Sequence, residues 1–523
     1  MESMDYSKTA LGIELGSTRI KAVLIDGDNS PISSGEYVWA SRYENGVWTY
    51  PLDEVWRGLG AAYAALARDA ENKYGSRPDT FGALGVSGMM HGYLPFDKNG
   101  ALLTPFRTWQ NTITGEAAGI LTRSFGFNIP QRWSAAHLYQ AILDAEAHVK
   151  RVDFITTLAG YVHWMLTGQR CVGVGEASGI FPVLNGDYNG DMLAKFDELA
   201  RGRGFRKPLR DILPAVMTAG EFAGSLTAEG AALLDETGAL KPGVPFCPPE
   251  GDAGTGMTAT DSVAARTGNV SAGTSVFAMV VLEKPLKKVY TEIDMVATPD
   301  GRDVAMVHCN NCSSDMNAWA GILREAAGLF GASPDTGELF TKLYDASLSA
   351  EDDCGGLLVY NLVSGEPVIG IDEGRPMVLR SPDSRFTLAN FMRAQLYSAF
   401  AALRTGMDIL KNEGVAIDSL TGHGGVFKTP GVAQKYLAAA VGSPVSCMDT
   451  AGEGGPYGMA LLAGYMLRRA EEESLGSYLE NRVFKNCSRT VMPPDAAVAA
   501  GFDAYIARYK KALPAEISAA ETL

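Results

Sequence analysis

The chain has 523 residues, 46% of them hydrophobic and 20% charged, with a mean hydropathy near zero. That excludes a disordered polymer and exceeds what one core can serve, so two large domains or more are expected. A formal net charge of −15 and a sequence pI near 5.0 set the chain against polyanions, so neither nucleic acid nor an anionic membrane is an expected partner and any phosphate must be held locally. No apolar run approaches the roughly 18 residues of a membrane-spanning helix. The first residues, MESMDYSK, carry acids instead of a basic export signal. Seven cysteines, an odd and scattered set, argue against a disulfide framework, and a cytoplasmic protein is the expectation.

Residues 8–40 read as strands joined by turns: ALGIELG, TRIKAVLID, then ISSGEYVWA after the turn GDNSP. PLDEVWRGLGAAYAALARDAENKYG places Val55, Leu59, Ala62, Tyr63, Leu66 and Ala70 near helical period. FGALGVSG is a short buried strand running into SGMMHGYLPFD, and a loop after a strand is where an α/β domain usually meets its ligand. His91 in that loop could bond a sugar hydroxyl, although a structural histidine is the plainer reading of the residue alone. FRTWQNT follows, where the Trp109 face suits the C–H face of a sugar and the Asn111 amide suits its hydroxyls. Residues 126–200 are mainly helical, with YVHWMLTG and the small-residue loop GEASG, and 200–250 alternate turns with a candidate edge strand up to CPPEG.

The chain is organised around 250–275, EGDAGTGMTATDSVAARTGNVSAGTS. It sets the Asp252 carboxylate in a glycine-rich loop open to a substrate hydroxyl, then turns through Gly273, Thr274 and Ser275, where backbone N–H groups can point at phosphate oxygens. LGIELGSTRIKAVLID (11–26) and GNVSAGTSVFAMVVLE (268–283) superpose without a gap. A long-period repeat present twice implies two related domains, here 1–265 and 266–523, whose hairpins would face each other across one nucleotide's phosphates. The second half continues with the helix NAWAGILREAAGLF, the strand GGLLVYNLV and the helix FMRAQLYSAFAALRTGMDILKNEG. SLTGHGGVFKTPGVAQKYLAAAVG and EGGPYGMALLAGYMLRRAEEE are glycine-to-helix junctions that favour anions by dipole and free N–H. Residues 495–523 form an amphipathic surface helix. Cys309 and Cys312, beside His308, resemble half a zinc site or a redox pair, but no second pair follows, which favours buried thiols. No Gly-Lys pair occurs anywhere, so a Walker-type loop is excluded, and neither HExxH nor a hydrolase elbow is supported.

The ordered set IELGSTRIKAVLID, VSGMMHG, FRTWQNT, YVHWMLTG with GEASG, PEGDAGTG, SAGTS, GLLVYNLVSGE, GHGGVFKTPGVAQ and GGPYGMALLAG resembles the FGGY carbohydrate kinases over nearly the whole length. The Met-His-Gly of the sugar loop is most similar to the xylulokinases. The resemblance implies an α/β, two-domain fold of the actin, sugar kinase and Hsp70 ATPase type, with ribonuclease H-like mixed sheets flanked by helices. It implies ATP and Mg²⁺ as cofactors, with Asp252 as general base and Glu14 as metal-holding catalytic carboxylate. Gly16, Ser17, Thr18, Lys21, Gly273, Thr274 and Ser275 would line the phosphates, and Gly424 and Gly425 the adenosine. Met90, His91, Gly92, Trp109 and Asn111 would face the sugar.

Four residues depart from the family pattern: Glu14 and Asn111 each stand where Asp is usual, Met89 where xylulokinases carry Gln, and Tyr397 where Glu is usual. The expected reaction is phosphorylation of a primary hydroxyl of a ketopentose such as D-xylulose. Another ketose, a polyol or a sugar acid is the nearest alternative, and a nucleotide-binding sensor without catalysis is the distant one. Sugar and ATP are the expected partners, with a homodimer suggested by family analogy alone.

Overall fold

A computed structural model describes residues 4–449 and 454–523; Glu453, the first residue of the EGGPYG motif, lies outside the described residues. The chain divides into two compact units, the first of Met1–Val263, Met295–Val304 and Glu453–Asn486, the second of Ala264–Asp294, Ala305–Gly452 and Cys487–Leu523. The first segment ends within two residues of the boundary read from the sequence, but the division is not a single cut, since two later segments return to the first unit.

In the first unit, β1 (Ala10–Leu15) and β2 (Arg19–Ile25) form an antiparallel hairpin around the turn at 16–18, and β3 (Pro31–Val38) continues it. Helix α1 (Leu52–Tyr74) buries Val55, Leu59, Ala62, Tyr63, Leu66 and Ala70, the apolar stripe read from its period. It stops at Gly75, whose left-handed backbone lets its N–H cap the Glu71 carbonyl. Strand β4 (Ala83–Gly88), buried at every position, runs parallel to β1, and the two-residue β5 (Glu250–Gly251) lies parallel to β4. The sheet order is β5-β4-β1-β2-β3. Asp252 opens α2 (Asp252–Ala259) and is therefore the first residue of a helix, not part of a glycine loop.

The second unit repeats the plan. Strands β6 (Thr267–Ala272) and β7 (Val276–Val281) form an antiparallel hairpin around the turn at 273–275. After α3 (Leu388–Asn412), β8 (Ser419–His423) runs parallel to β6. The helix expected directly after the GHGG turn starts only at Val432 (α4, Val432–Val441), because a 3₁₀ turn and the Pro430–Gly431 break intervene. Strand β9 (Val445–Met448) follows, parallel to β8. In both units the central strand has an antiparallel hairpin partner on one side and a parallel neighbour on the other.

The chain then returns to the first unit with α5 (Gly454–Arg468) and closes in the second with β10 (Arg489–Met492) and α6 (Ala496–Thr522). Helix α5 packs against β1 and α2 at backbone distance. A Cβ at Gly12 would stand 2.2 Å from the Pro456 carbonyl oxygen, and one at Gly458 would stand 2.0 Å from that of Thr255. This approach explains why α5 carries Gly458 in its interior despite the poor helix propensity of glycine. No helix among the described residues is long and apolar enough to cross a membrane. Gly458→Ala is expected to force α5 off α2 and to destabilise the fold by about 1–3 kcal/mol. A lowered denaturation midpoint checks this against Gly27→Ala, a position with open space around its missing Cβ.

Candidate active site

Asp252 is solvent-exposed in the first turn of α2, where free N–H groups and the helix dipole favour a carboxylate. Its Oδ1 accepts hydrogen bonds from the N–H of Met90 (3.2 Å) and of Ala253 (3.1 Å). The surrounding protein displaces water from the carboxyl and raises its pKa, while these amides and the Arg132 guanidinium oppose the rise. The group is thereby a better proton acceptor than a free aspartate and remains open to a substrate.

The sugar loop reaches Asp252 through its backbone. Met90 is buried, its side chain lying on Gly251, and the N–H of Gly92 donates to the Arg132 carbonyl (3.1 Å). His91 is also buried, with φ +70°, its Nδ1 3.1 Å from the Gly179 carbonyl oxygen and its ring stacked on Trp133. A non-glycine residue in the left-handed region costs free energy and persists where the surroundings fix it. Trp109 is 38% exposed and presents its ring outward. Asn111 is buried, and both ends of its amide are engaged: Oδ1 accepts from the N–H of Trp48 (2.8 Å), and Nδ2 donates to the carbonyls of Trp48 (2.9 Å) and Thr108 (3.0 Å).

Glu14 stands on β1 opposite Lys21. Burial, and then the nearby Asp252 charge, push its carboxyl up to about 8, against the pull of Lys21. Its side chain extends to the start of α5, where a Cβ at Gly455 would fall 1.4 Å from Oε2, so only glycine fits there. A region rich in carboxylate and short of positive charge fits a hydrated Mg²⁺, which takes one or two carboxylates and fills its other positions with water and phosphate oxygens. Among the described residues no cluster of three or more His, Cys, Asp or Glu could hold a metal ion. Cys309 and Cys312 are buried thiols whose pKa burial raises, to about 12 for Cys312.

The two hairpin turns are tied from behind. At 16–18 the Gly16 carbonyl accepts from Trp39 Nε1 (2.6 Å), that of Ser17 from the Tyr50 hydroxyl (2.7 Å), and that of Thr18 from the Trp39 N–H (3.1 Å). In the second unit the Gly273 carbonyl accepts from Ser313 Oγ (2.6 Å) and that of Thr274 from the Cys312 N–H (2.9 Å). With their carbonyls held this way, acceptor oxygens are kept from where an anion would meet the turns. Gly424 has φ +102°, and a Cβ there would meet the Ala272 carbonyl oxygen at 2.4 Å; Gly425 opens the 3₁₀ turn that follows. Tyr397 is a core residue of the second unit, its hydroxyl on the Asp352 carbonyl and its ring among Tyr436, Phe502 and Tyr505.

Two buried carboxyls behind Asp252 escaped the sequence reading. Glu250 accepts from the N–H groups of Gly175 (3.2 Å) and Glu176 (2.9 Å), and burial raises it to about 8. Glu176, fully buried in the GEASG segment, is raised well above the usual range by burial, with Glu250 and Asp252 adding to the effect. An acid inside a run of small residues was the only signal available.

A doubled mixed sheet, each half with a glycine-turn hairpin beside a parallel strand, is the plan of the actin-like sugar kinase fold. The description of the FGGY family of carbohydrate kinases matches twice, by its N-terminal domain over residues 9–257 and by its C-terminal domain over 268–467. The chain belongs to that family and is an ATP-dependent carbohydrate kinase. It is 23% identical to a xylulose kinase of Haemophilus influenzae over 456 residues, 84% of this chain and 87% of that protein. In fold it matches a xylulose kinase of Rhodospirillum rubrum (TM-score 0.77, 19% identity, 97% of this chain and 98% of that one). It likewise matches a gluconate kinase of Lactobacillus acidophilus (TM-score 0.78, 15% identity, 98% and 99%).

Between about pH 4.5 and 8 the folded protein keeps a proton on Glu250 that the unfolded chain has lost. Its contribution to stability is therefore largest below 4.5, declines as the pH rises to about 8 and is flat beyond. Glu250→Gln is expected to flatten part of that decline, checked by denaturation midpoints across the interval.

Proposed function

We propose that this kinase phosphorylates a primary hydroxyl of a ketopentose or related polyol, with D-xylulose the first candidate, from Mg-ATP. The observation that carries the reading is Asp252, an accessible carboxylate fastened to the sugar loop by the Met90 N–H. The similarity to a xylulose kinase over most of both chains supports the choice of sugar. A sugar hydroxyl is far less acidic than a carboxylic acid, so Asp252 takes its proton only as the bond to phosphorus forms, a contribution of about 10²- to 10⁴-fold. Lys21 and the amides of the 16–18 turn serve the phosphates in the first unit, and those of 273–275 do so in the second. Glu14, with Asp252 beside it, would hold Mg²⁺, which screens phosphate charge when bound.

A second reading, a sugar acid as acceptor, is favoured by Arg132, whose guanidinium acts electrostatically on Asp252 and whose carbonyl accepts from the Gly92 N–H of the sugar loop. An anionic acceptor would pair with it. The two are separated by ADP release across ketopentoses, ketohexoses, polyols and sugar acids, with Asp252→Ala run alongside. One strong neutral responder, silenced about 10²-fold or more by Asp252→Ala with nucleotide affinity nearly unchanged, is the expected result. A fully active variant refutes the base, and a response confined to acids supports the second reading. Because Glu14 binds a proton up to about pH 8, apparent Mg²⁺ affinity is expected to rise with pH to that value, and Glu14→Gln to weaken and flatten it. Unchanged Mg²⁺ titrations would count against the role of Glu14.

A further inference from the structure

The segment between β3 and α1 folds back as a small hairpin of Arg42–Glu44 and Val47–Thr49, with Tyr43 opposite Trp48 and their rings 5.1 Å apart. Its two ends are the buried Trp39 and Tyr50, whose rings lie 4.3 Å apart and tilted by 35°, and these are the side chains that hold the carbonyls of Gly16 and Ser17. Its far strand is fastened elsewhere. The Trp48 N–H and carbonyl are both taken by Asn111, and the same carbonyl also accepts from the Thr108 N–H (3.2 Å). One short hairpin thus grips the phosphate turn with the residues at its base and the Trp109 loop with its second strand. Tyr43 and Trp48 are 63% and 37% exposed, so what keeps the hairpin in place is the buried pair at its base together with the polar fastenings.

We propose that this hairpin is a strap linking the acceptor loop to the phosphate turn, with Asn111, Trp39 and Tyr50 as its positioning residues. The inference rests on the kinase reading, since it assigns the two loops to acceptor and nucleotide. The 16–18 turn is a three-residue loop whose internal bond, Gly16 N–H to the Arg19 carbonyl at 2.9 Å, fixes its base, while Trp39 and Tyr50 set the direction of its carbonyls and hence of its amides. The Asn111 amide carries a donor and an acceptor side by side and so satisfies both the N–H and the carbonyl of Trp48 at once. An acid at this position would lose the donor to the Trp48 carbonyl and release half of the clasp.

Hydrogen exchange of the ligand-free, full-length protein tests the linkage without reference to any substrate. Asn111→Ala is expected to speed exchange at residues 16–18 by about tenfold, although Asn111 bonds Trp48 and Thr108 and not that turn; Tyr50→Phe, which removes a single hydroxyl, should do the same. In kinetics Tyr50→Phe should raise KM for ATP and leave KM for the acceptor, whereas Asn111→Ala should raise both by about five- to tenfold, and the double variant should be no worse for ATP than Asn111→Ala alone. Unaltered exchange at 16–18 in folded Asn111→Ala, or strictly additive effects on ATP, would overturn the strap. If Asn111→Ala fails to fold, Tyr50→Phe and Asn111→Asp carry the same exchange measurement. If no acceptor stimulates ADP release in the wild type, the kinase substrate reading fails, and the exchange result still decides the linkage.

Discussion

Everything in the first unit's chemistry depends on how closely α5 lies against β1 and α2. Gly12 and Gly458 let the helix touch strand and helix at backbone distance, and Gly455 makes room for the Glu14 carboxyl. One helix therefore sets the position of the strand that carries Glu14 and of the helix that begins with Asp252. The Asp252 charge then adds to burial in raising the proton affinity of Glu14. The glycines are there for proximity and not for flexibility.

Around that contact the remaining parts have separable tasks. The Met90 N–H ties Asp252 to the loop after β4, and the left-handed His91 fixes the course of that loop. The tied turns of the two units present amides by having their carbonyls drawn away. Burial raises the proton affinity of Asp252, while the Met90 and Ala253 amides and the Arg132 guanidinium lower it. The balance of these opposed influences leaves a carboxyl that takes a proton more readily than a free aspartate.

The hairpins were legible in the sequence because a small turn between β-branched runs is a local signal, and its recurrence at 268–283 marked the second unit. Helix α1 was legible through its period. The helix beginning at Asp252 was not, since Gly254 and Gly256 read as loop, and the α5 helix that packs on it through Gly458 lies some two hundred residues later in the chain. Nor could local pattern show that residues 453–486 return to the first unit. Asn111 was recognised as polar and placed beside an aromatic, but an amide carries no mark of its partner, and Trp48 lies 63 residues away in the chain. The buried acids Glu176 and Glu250 were invisible for the same reason, their meaning being given by burial and not by spacing.

The discontinuity of the first unit has a consequence for its birth. Its leading segment ends at Val263, but the helix that covers β1 does not leave the ribosome until about 190 residues later. At ordinary elongation rates of about 5–20 residues per second that interval is roughly 10–40 s. During it the face of the sheet around Gly12 stands bare, and the second unit is being synthesised in between. The unit that begins first is thus completed only after most of the second has been made, and a chain cut short anywhere before Arg468 would lack not a peripheral helix but the piece that packs against both the strand of Glu14 and the helix of Asp252.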